Sequence, residues 1–311
     1  MRDSNDKVAC IGVGNVGRAW AIVFARAGFE VSLYDVADGA VTQALALVHR
    51  NAVDLEAAGL VDSAAALTAR IHPAHSLADA LAGVRHAQES VREDPQIKAA
   101  VFLELAAVAP ESATLASSTS AIPGSAFLEH VPCRERCIVA HPVNPPSLIP
   151  LVELCPAPWT SPDTIESVRT LMREVGQHPI LLKKEIPGFL LNRLQYTLVA
   201  EALHLVGEGY CEPEDIDAVL THGLALRWML MGPFQVAHLN AAGGFSGFVE
   251  QLGEMMRTVG KDARTDYQWD DTLIEQIHER LAASTPVSEI PDRQLERDRN
   301  IMSLLNWRKE L

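Results

Sequence analysis

Residues Val8 to Gly17 read VACIGVGNVG and set Gly12, Gly14 and Gly17 in a G-x-G-x-x-G spacing. An apolar, strand-like run leads into the glycines, and GRAWAIVFARAG follows as about three turns of helix ending at Gly28. FEVSLYD comes next, a second strand-like run whose apolar residues stop at Asp35. Strand, glycine turn, helix, strand and an acid about 20 residues past the first glycine make the βαβ unit of a dinucleotide-binding fold. Gly12 permits the tight turn, Gly14 lets the backbone approach a pyrophosphate, and Gly17 lets helix and strand pack closely. Asn15 and Val16 open the helix, whose first N–H groups lack intrahelical partners and carry partial positive charge toward the phosphates. Asp35 is placed to accept hydrogen bonds from the adenosine ribose. A 2′-phosphate there is repelled, and Val36 and Ala37 bring no arginine to receive it. The expected cofactor is NAD rather than NADP.

Composition narrows the class further. The chain has 311 residues, room for two domains with cores of their own. Its 26 lysines and arginines against 40 aspartates and glutamates leave a net charge of -14, which argues against a nucleic-acid partner. No apolar run reaches the ~20 residues that span a bilayer, and the polar start MRDSNDK does not read as a signal peptide, so a cytoplasmic location is expected. Five scattered cysteines include one near pair, Cys133 and Cys137, with no second pair to complete a zinc site. They read as thiols in a reducing compartment, and no metal is expected.

Beyond Asp35, the alanine- and leucine-rich segment Ala37–Leu81 has helical spacing broken at Gly59 and at His72-Pro73, and reads as an inserted helical hairpin. A strand-like HAQESV follows, and then Asp94 and Pro95 resemble an N-cap and first-turn proline opening the helix PQIKAAVFLELAAVA. TLASST, CIVAH and LVELC are short strand candidates, and the helix TIESVRTLMREVG and strand HPILLKK close this part. From Ile186-Pro187-Gly188 onward only helical patterns remain. The expected fold class is α/β: a Rossmann-type domain over 1–186 with the inserted hairpin, then an all-helical domain over 187–311.

Four segments carry candidate chemistry: SSTS (Ser117–Ser120), HPVNPP (His141–Pro146), LVEL with Glu153, and IPGFLLNRLQ with Asn192. Oxidising a secondary alcohol requires a base for the hydroxyl proton as hydride leaves, and histidine suits that task near neutral pH. His141 ends one strand and Glu153 lies on the next, so neighbouring strands can set them side by side. A carboxylate on the far ring nitrogen fixes the tautomer and stabilises the imidazolium. Taken singly, His141 reads as a strand-end histidine, Glu153 as an edge charge, Ser120 as a turn serine and Asn192 as a solvent-facing helix residue. Together, in this order and spacing, they resemble the L-3-hydroxyacyl-CoA dehydrogenase superfamily, and within it the λ-crystallin branch, whose active members are L-gulonate 3-dehydrogenases. HPVNPP, SSTS and GLALRWMLMGPFQVAHLN (Gly223–Asn240) suggest the branch. The resemblance implies His141 as base, Glu153 as its partner, and Ser120 and Asn192 as donors to the reacting oxygen. It also implies that Glu93 and Lys98 contact NAD, although the Val-Pro-Glu-Asp usual there is Val91-Arg92-Glu93-Asp94 in this chain. On the residues alone Lys98 reads as a solvated helix lysine.

For the substrate, charge is the available signal. No lysine lies between Lys7 and Lys98, and the hairpin carries Arg50 and Arg70 against Asp38, Asp54, Glu56, Asp62 and Asp79. That is a poor match for the phosphates of coenzyme A. Arg227 sits among apolar residues, where an unpaired guanidinium is costly, and can be forked onto a substrate carboxylate or tied in an internal salt bridge. A small L-3-hydroxy acid such as L-gulonate is therefore expected, with an acyl-CoA as the alternative. A hydroxyisobutyrate-type enzyme would need a catalytic lysine in the helical part, whereas Lys183 and Lys184 precede it. A non-catalytic crystallin role is the remaining alternative. The apolar helix faces after Pro187, LLNRLQYTLVAEALHLV among them, lead us to expect a homodimer like those of the family.

Overall fold

The computed structural model describes residues 6–310. Eight strands, β1 (Lys7–Ile11), β2 (Glu30–Tyr34), β3 (Ile71–Pro73), β4 (His86–Glu89), β5 (Thr114–Ser117), β6 (Cys137–Pro142), β7 (Leu151–Cys155) and β8 (His178–Leu181), form one sheet in the order β3-β2-β1-β4-β5-β6-β7-β8. The first six are parallel in the 3-2-1-4-5-6 order of a doubly wound fold. β7 turns back antiparallel to β6, and β8 runs parallel to β7.

Both faces of the sheet are covered, and the alternation along β1 shows it. Val8 and Cys10 join a cluster with Trp20, Phe24, Val31 and Leu33, while Ala9 and Ile11 join another with Leu81, Phe102 and Leu115. A parallel strand buried on both faces reads as a continuous apolar run, and β1 does. Its neighbour β4 does not: His86, Gln88 and Glu89 are fully buried although polar. The strand order reverses between β1 and β4, so the crevice beyond their carboxyl ends is the topological switch point where such folds bind ligands.

One expectation needs correction. The segment after Asp35 is not only helical: Ala40–Ala57 and Ala64–Thr68 are helices, but Ile71–Pro73 then pairs with β2 as an edge strand. An edge position tolerates a proline, which cannot donate to a ladder on both sides, so His72-Pro73 marks a short strand rather than a break. The chain packs as two compact units. One unit runs through Leu190 and takes back the chain from Pro291, and the other is Leu191–Ile290. The last helix, Ile290–Lys309, returns because Met302 enters the first core, Asn306 donates to the Ala58 carbonyl at 2.7 Å and Arg299 meets Asp54 at 3.3 Å.

The second unit is built from helices, chiefly Leu191–Gly207, Pro213–Val219, Pro233–Leu239, Gly244–Asp262 and Asp271–Ser284. A π-helical turn at Leu220–Leu224 runs into the short helix Ala225–Trp228. Many of its large apolar side chains are exposed, with Leu194 at 73% and Phe234 at 77%. Among the described residues no helix is long and apolar enough to cross a membrane.

Candidate active site

The glycine loop follows directly from β1. Gly12 has φ +88°, a left-handed conformation that a side chain resists, and its N–H donates to the Tyr34 carbonyl at 2.8 Å. A Cβ at Gly12 would also stand 2.7 Å from the Ser90 carbonyl oxygen, because β4 leaves the sheet alongside. A Cβ at Gly17 would run into the carbonyl oxygen of Gly12, so the first turn of the helix Asn15–Arg26 rests against the loop that precedes it. Gly14 differs, for the space around its absent side chain is open. An occluded first and third glycine with an open second one fit a dinucleotide whose pyrophosphate comes over Gly14 and the helix start at Asn15 and Val16.

Asp35 lies just past β2. Its Oδ2 accepts the Val13 N–H at 3.0 Å and its Oδ1 the Ala37 N–H at 2.9 Å. The carboxylate is thereby oriented beside the glycine loop, and each oxygen has a second lone pair for a ribose hydroxyl. Val36, exposed at 84%, brings no cation to neutralise a 2′-phosphate. Replacing Asp35 by alanine should reduce the NAD-over-NADP ratio of kcat/KM by roughly tenfold, the value of a hydrogen bond to a charged group. An unchanged ratio would sink the ribose role.

On the other side of the switch point a chain of ionisable groups runs from β4 to the SSTS turn. Lys98, 1% exposed, places its ammonium 3.0 and 3.2 Å from the two oxygens of fully buried Glu89 and 3.4 Å from Glu93. It is therefore not the solvated lysine that its position in PQIKAA suggests. Asp94 caps that helix as expected, accepting the Gln96 and Ile97 N–H groups. Burial raises the Glu89 pKa, and the Lys98 charge and the Ser117 hydroxyl oppose the rise. Glu93 reaches across so that its Oε1 accepts the Thr119 hydroxyl at 2.6 Å and the Ser120 and Ala121 N–H groups at 2.8 and 3.2 Å. The backbone around exposed Ser120 is thus gathered on one carboxylate oxygen.

His141 and Glu153 face one another directly in the β6–β7 register. His141 is 4% exposed, and its Nδ1 lies 2.8 Å from Glu153 Oε2. The second oxygen of Glu153 accepts the Leu190 N–H at 2.8 Å, so the carboxylate is held at both ends. Fully buried Phe189 packs its ring 5.4 Å from the imidazole, and its φ of +50° follows Gly188, whose N–H donates to the Ala121 carbonyl. The IPGF turn therefore touches both the imidazole and the turn that bears Ser120. With Nδ1 donating to the carboxylate, Nε2 is left with a lone pair and can take a proton.

Sequence reasoning did not single out Glu89, Ser117 or Phe189. The available signal was HAQES itself, whose polar residues lie where a central parallel strand should be apolar.

Two expected residues belong to the helical unit. Asn192 is buried in the first turn of Leu191–Gly207. Arg227 does not match its sequence reading: it is exposed, as are Leu226, Trp228 and Leu230 around it. The apolar neighbours that implied a desolvated guanidinium lie on a surface, so Arg227 carries no cost of burial. Among the described residues the Arg227 guanidinium has no hydrogen-bond or ion-pair partner.

A doubly wound sheet, a glycine turn at the switch point and an acid after the second strand define a dinucleotide-binding protein. Family models agree. The one described as 3-hydroxyacyl-CoA dehydrogenase, NAD binding domain, matches residues 7–186, and the one described as its C-terminal domain matches 188–283. The chain belongs to the 3-hydroxyacyl-CoA dehydrogenase family and is an NAD-dependent enzyme acting on CH–OH groups. It is 39% identical over 285 residues to lambda-crystallin of Oryctolagus cuniculus, covering 90% of this chain and 88% of that one. It is 31% identical to an L-carnitine dehydrogenase of Streptomyces griseus, over 96% and 89% of the two chains. A solved structure of an NAD-dependent dismutase, 5-formyl-3-hydroxy-2-methylpyridine 4-carboxylic acid 5-dehydrogenase, superposes with a TM-score of 0.76 at 28% identity, covering 96% of each chain.

Proposed function

We propose that the chain oxidises the 3-hydroxyl of a small L-3-hydroxy acid of the L-gulonate kind to the 3-keto acid, with His141 as general base. The observation that carries the chemistry is the buried His141–Glu153 pair at 2.8 Å. NAD, when bound, supplies the hydride acceptor. His141 Nε2 takes the hydroxyl proton, and Glu153 holds the Nδ1–H tautomer and stabilises the imidazolium. Ser120 and Asn192 donate to the reacting oxygen, and a well-placed donor of this kind contributes about 3 kcal/mol in other enzymes. Gly12, Gly14, Asn15, Val16, Gly17 and Asp35 bind the dinucleotide, with Glu93 and Lys98 beside it. The exposed apolar side chains of the helical unit support a homodimer, and the five free cysteines, four of them buried, support a cytoplasmic location.

The acidic hairpin favours a small acid over an acyl-CoA, and the likeness to lambda-crystallin supports the same branch. One observation favours the second reading. Arg18 and Arg50 are close enough for the charge on Arg50 to lower the Arg18 pKa, after the larger effect of burial. Both line a cavity of about 470 Å³ together with Arg297 and Arg299, against Asp54, Asp292 and Asp298, a balance of one positive charge on the side of an anion. Initial rates of NAD reduction with L-gulonate, L-3-hydroxybutyrate, carnitine and 3-hydroxybutyryl-CoA decide between them. L-gulonate should give the highest kcat/KM. Because exposed Arg227 is a cation with no protein partner among the described residues and so free to take a carboxylate, Arg227→Leu should reduce that value about tenfold through KM with NAD affinity intact. A higher value for the acyl-CoA, or an Arg227→Leu enzyme with undiminished L-gulonate affinity, would overturn the substrate assignment.

A further inference from the structure

We propose that Glu89 and Ser117 are positioning residues for Ser120, an inference that rests on the reading of Ser120 as a donor to the reacting oxygen. Glu89 and Ser117 are register partners on β4 and β5, and both are fully buried, so neither can touch a substrate. The Ser117 hydroxyl donates to Glu89 Oε2 at 2.6 Å, and the same Ser117 oxygen accepts the Thr119 N–H at 3.2 Å. Glu89 is thereby tied, through one side chain, to the backbone immediately before Ser120. Its other oxygen accepts the Val91 N–H at 2.5 Å and the Lys98 ammonium, and Lys98 in turn faces Glu93. Glu93 then holds the Thr119 hydroxyl and the N–H groups of Ser120 and Ala121. Two arms that start on one buried carboxylate therefore meet on the turn that carries the Ser120 hydroxyl.

Stability alone is a poor account of this arrangement. Removing two charges from water costs several kcal/mol per ion, and well-packed apolar residues of similar volume often do as well or better. What apolar residues cannot do is fix the direction of three N–H groups and two hydroxyls along one turn. A displacement on the order of 1 Å at a reacting group costs up to about a hundredfold in rate, so the orientation of this turn bears directly on turnover.

A double-mutant cycle separates positioning from bulk stability. Ser117→Ala removes the hydroxyl link and leaves no unpaired charge, so it remains usable if Glu89→Gln fails to fold. We expect Ser117→Ala to lower kcat on the order of tenfold on the preferred 3-hydroxy acid, with the KM for NAD and the Tm little changed. In a Ser120→Ala background the same change should cost less than about twofold, because the hydroxyl to be positioned is gone. Glu89→Gln should follow the same pattern with a larger loss of Tm. An equal loss from Ser117→Ala in both backgrounds, or no loss in the wild type, overturns the proposal while leaving Ser120 as a donor. A fully active Ser120→Ala enzyme overturns the donor reading and the positioning role together.

Discussion

Alanine at His141 should lower kcat by about 10²–10⁴-fold while the affinity for NAD is retained, because the loss of a general base has that range and the dinucleotide loop lies on other strands. Calorimetric NAD binding beside steady-state rates checks both halves. Glu153→Gln should be severely impaired as well, for a reason visible in the geometry. Glu153 accepts two N–H groups on two different oxygens, from His141 at 2.8 Å and from Leu190 at 2.8 Å. A glutamine has one carbonyl oxygen, so it must turn its NH₂ toward either Leu190 or the imidazole. Facing the imidazole, the NH₂ imposes the wrong tautomer and puts the proton on Nε2, where the base should be. A His141→Ala enzyme within threefold of the wild type would refute the assignment, whatever Glu153→Gln does.

How far the sequence alone leads depends on what kind of signal a residue leaves. The glycine turn was legible because backbone close approach permits only one residue type, and Gly12 and Gly17 are the positions where a Cβ collides with backbone. That His141 and Glu153 could meet was legible because neighbouring strands can set such residues side by side, as β6 and β7 do, but the roles expected of them came from the resemblance and not from the residues alone. The edge strand Ile71–Pro73 was hidden, since three residues carry too little pattern and a proline reads as a break. Arg227 misled because an apolar neighbourhood in the sequence is not a buried one; its neighbours lie on the surface of a helical unit with few buried side chains. The return of the last helix to the first unit depends on single contacts such as Asn306 on the Ala58 carbonyl, for which no local sequence signal exists. Lys98 and Glu89 are the same problem in another form. Nothing local tells a helix lysine that it will meet a carboxylate on the underside of a strand.

The polar face of β4 leads to the second large effect, a loss of stability on acidification that centres on His86. The imidazole is fully buried, and burial pushes its pKa down to about 4 from 6.5, with neighbouring Arg85 adding to the fall and a hydrogen bond to Gln88 opposing it. The neutral form is required by the bonds around it. Gln88 Nε2 donates to the Ser118 hydroxyl at 2.7 Å, so Gln88 Oε1 faces His86 Nε2 at 3.1 Å and makes that nitrogen the protonated one. Nδ1 is then an acceptor for the Thr114 hydroxyl at 2.8 Å. Ser118 takes N–H groups from Gln88 and from Trp20 at 3.1 Å, and shares a hydroxyl hydrogen bond with Ser90 at 2.9 Å. The chain of bonds ends beside the glycine loop, where Ser90 backs Gly12. Between about 6.5 and 4 the unfolded chain binds a proton on this residue that the folded chain refuses. Stability from this source is complete above pH 6.5, falls through that window, and loses nothing more below about 4. One unit of difference is 1.36 kcal/mol, so the full loss is about 3 kcal/mol, more than a hundredfold in the folded-to-unfolded ratio. Chemical denaturation at pH 7 and pH 4.5 should show most of it in the wild type. His86→Phe has no imidazole to protonate and should lose that part of the slope, although its stability at pH 7 is lower because the Thr114 hydroxyl and Gln88 Oε1 lose their His86 partner. Equal pH slopes in the two proteins would show that the acid sensitivity arises elsewhere.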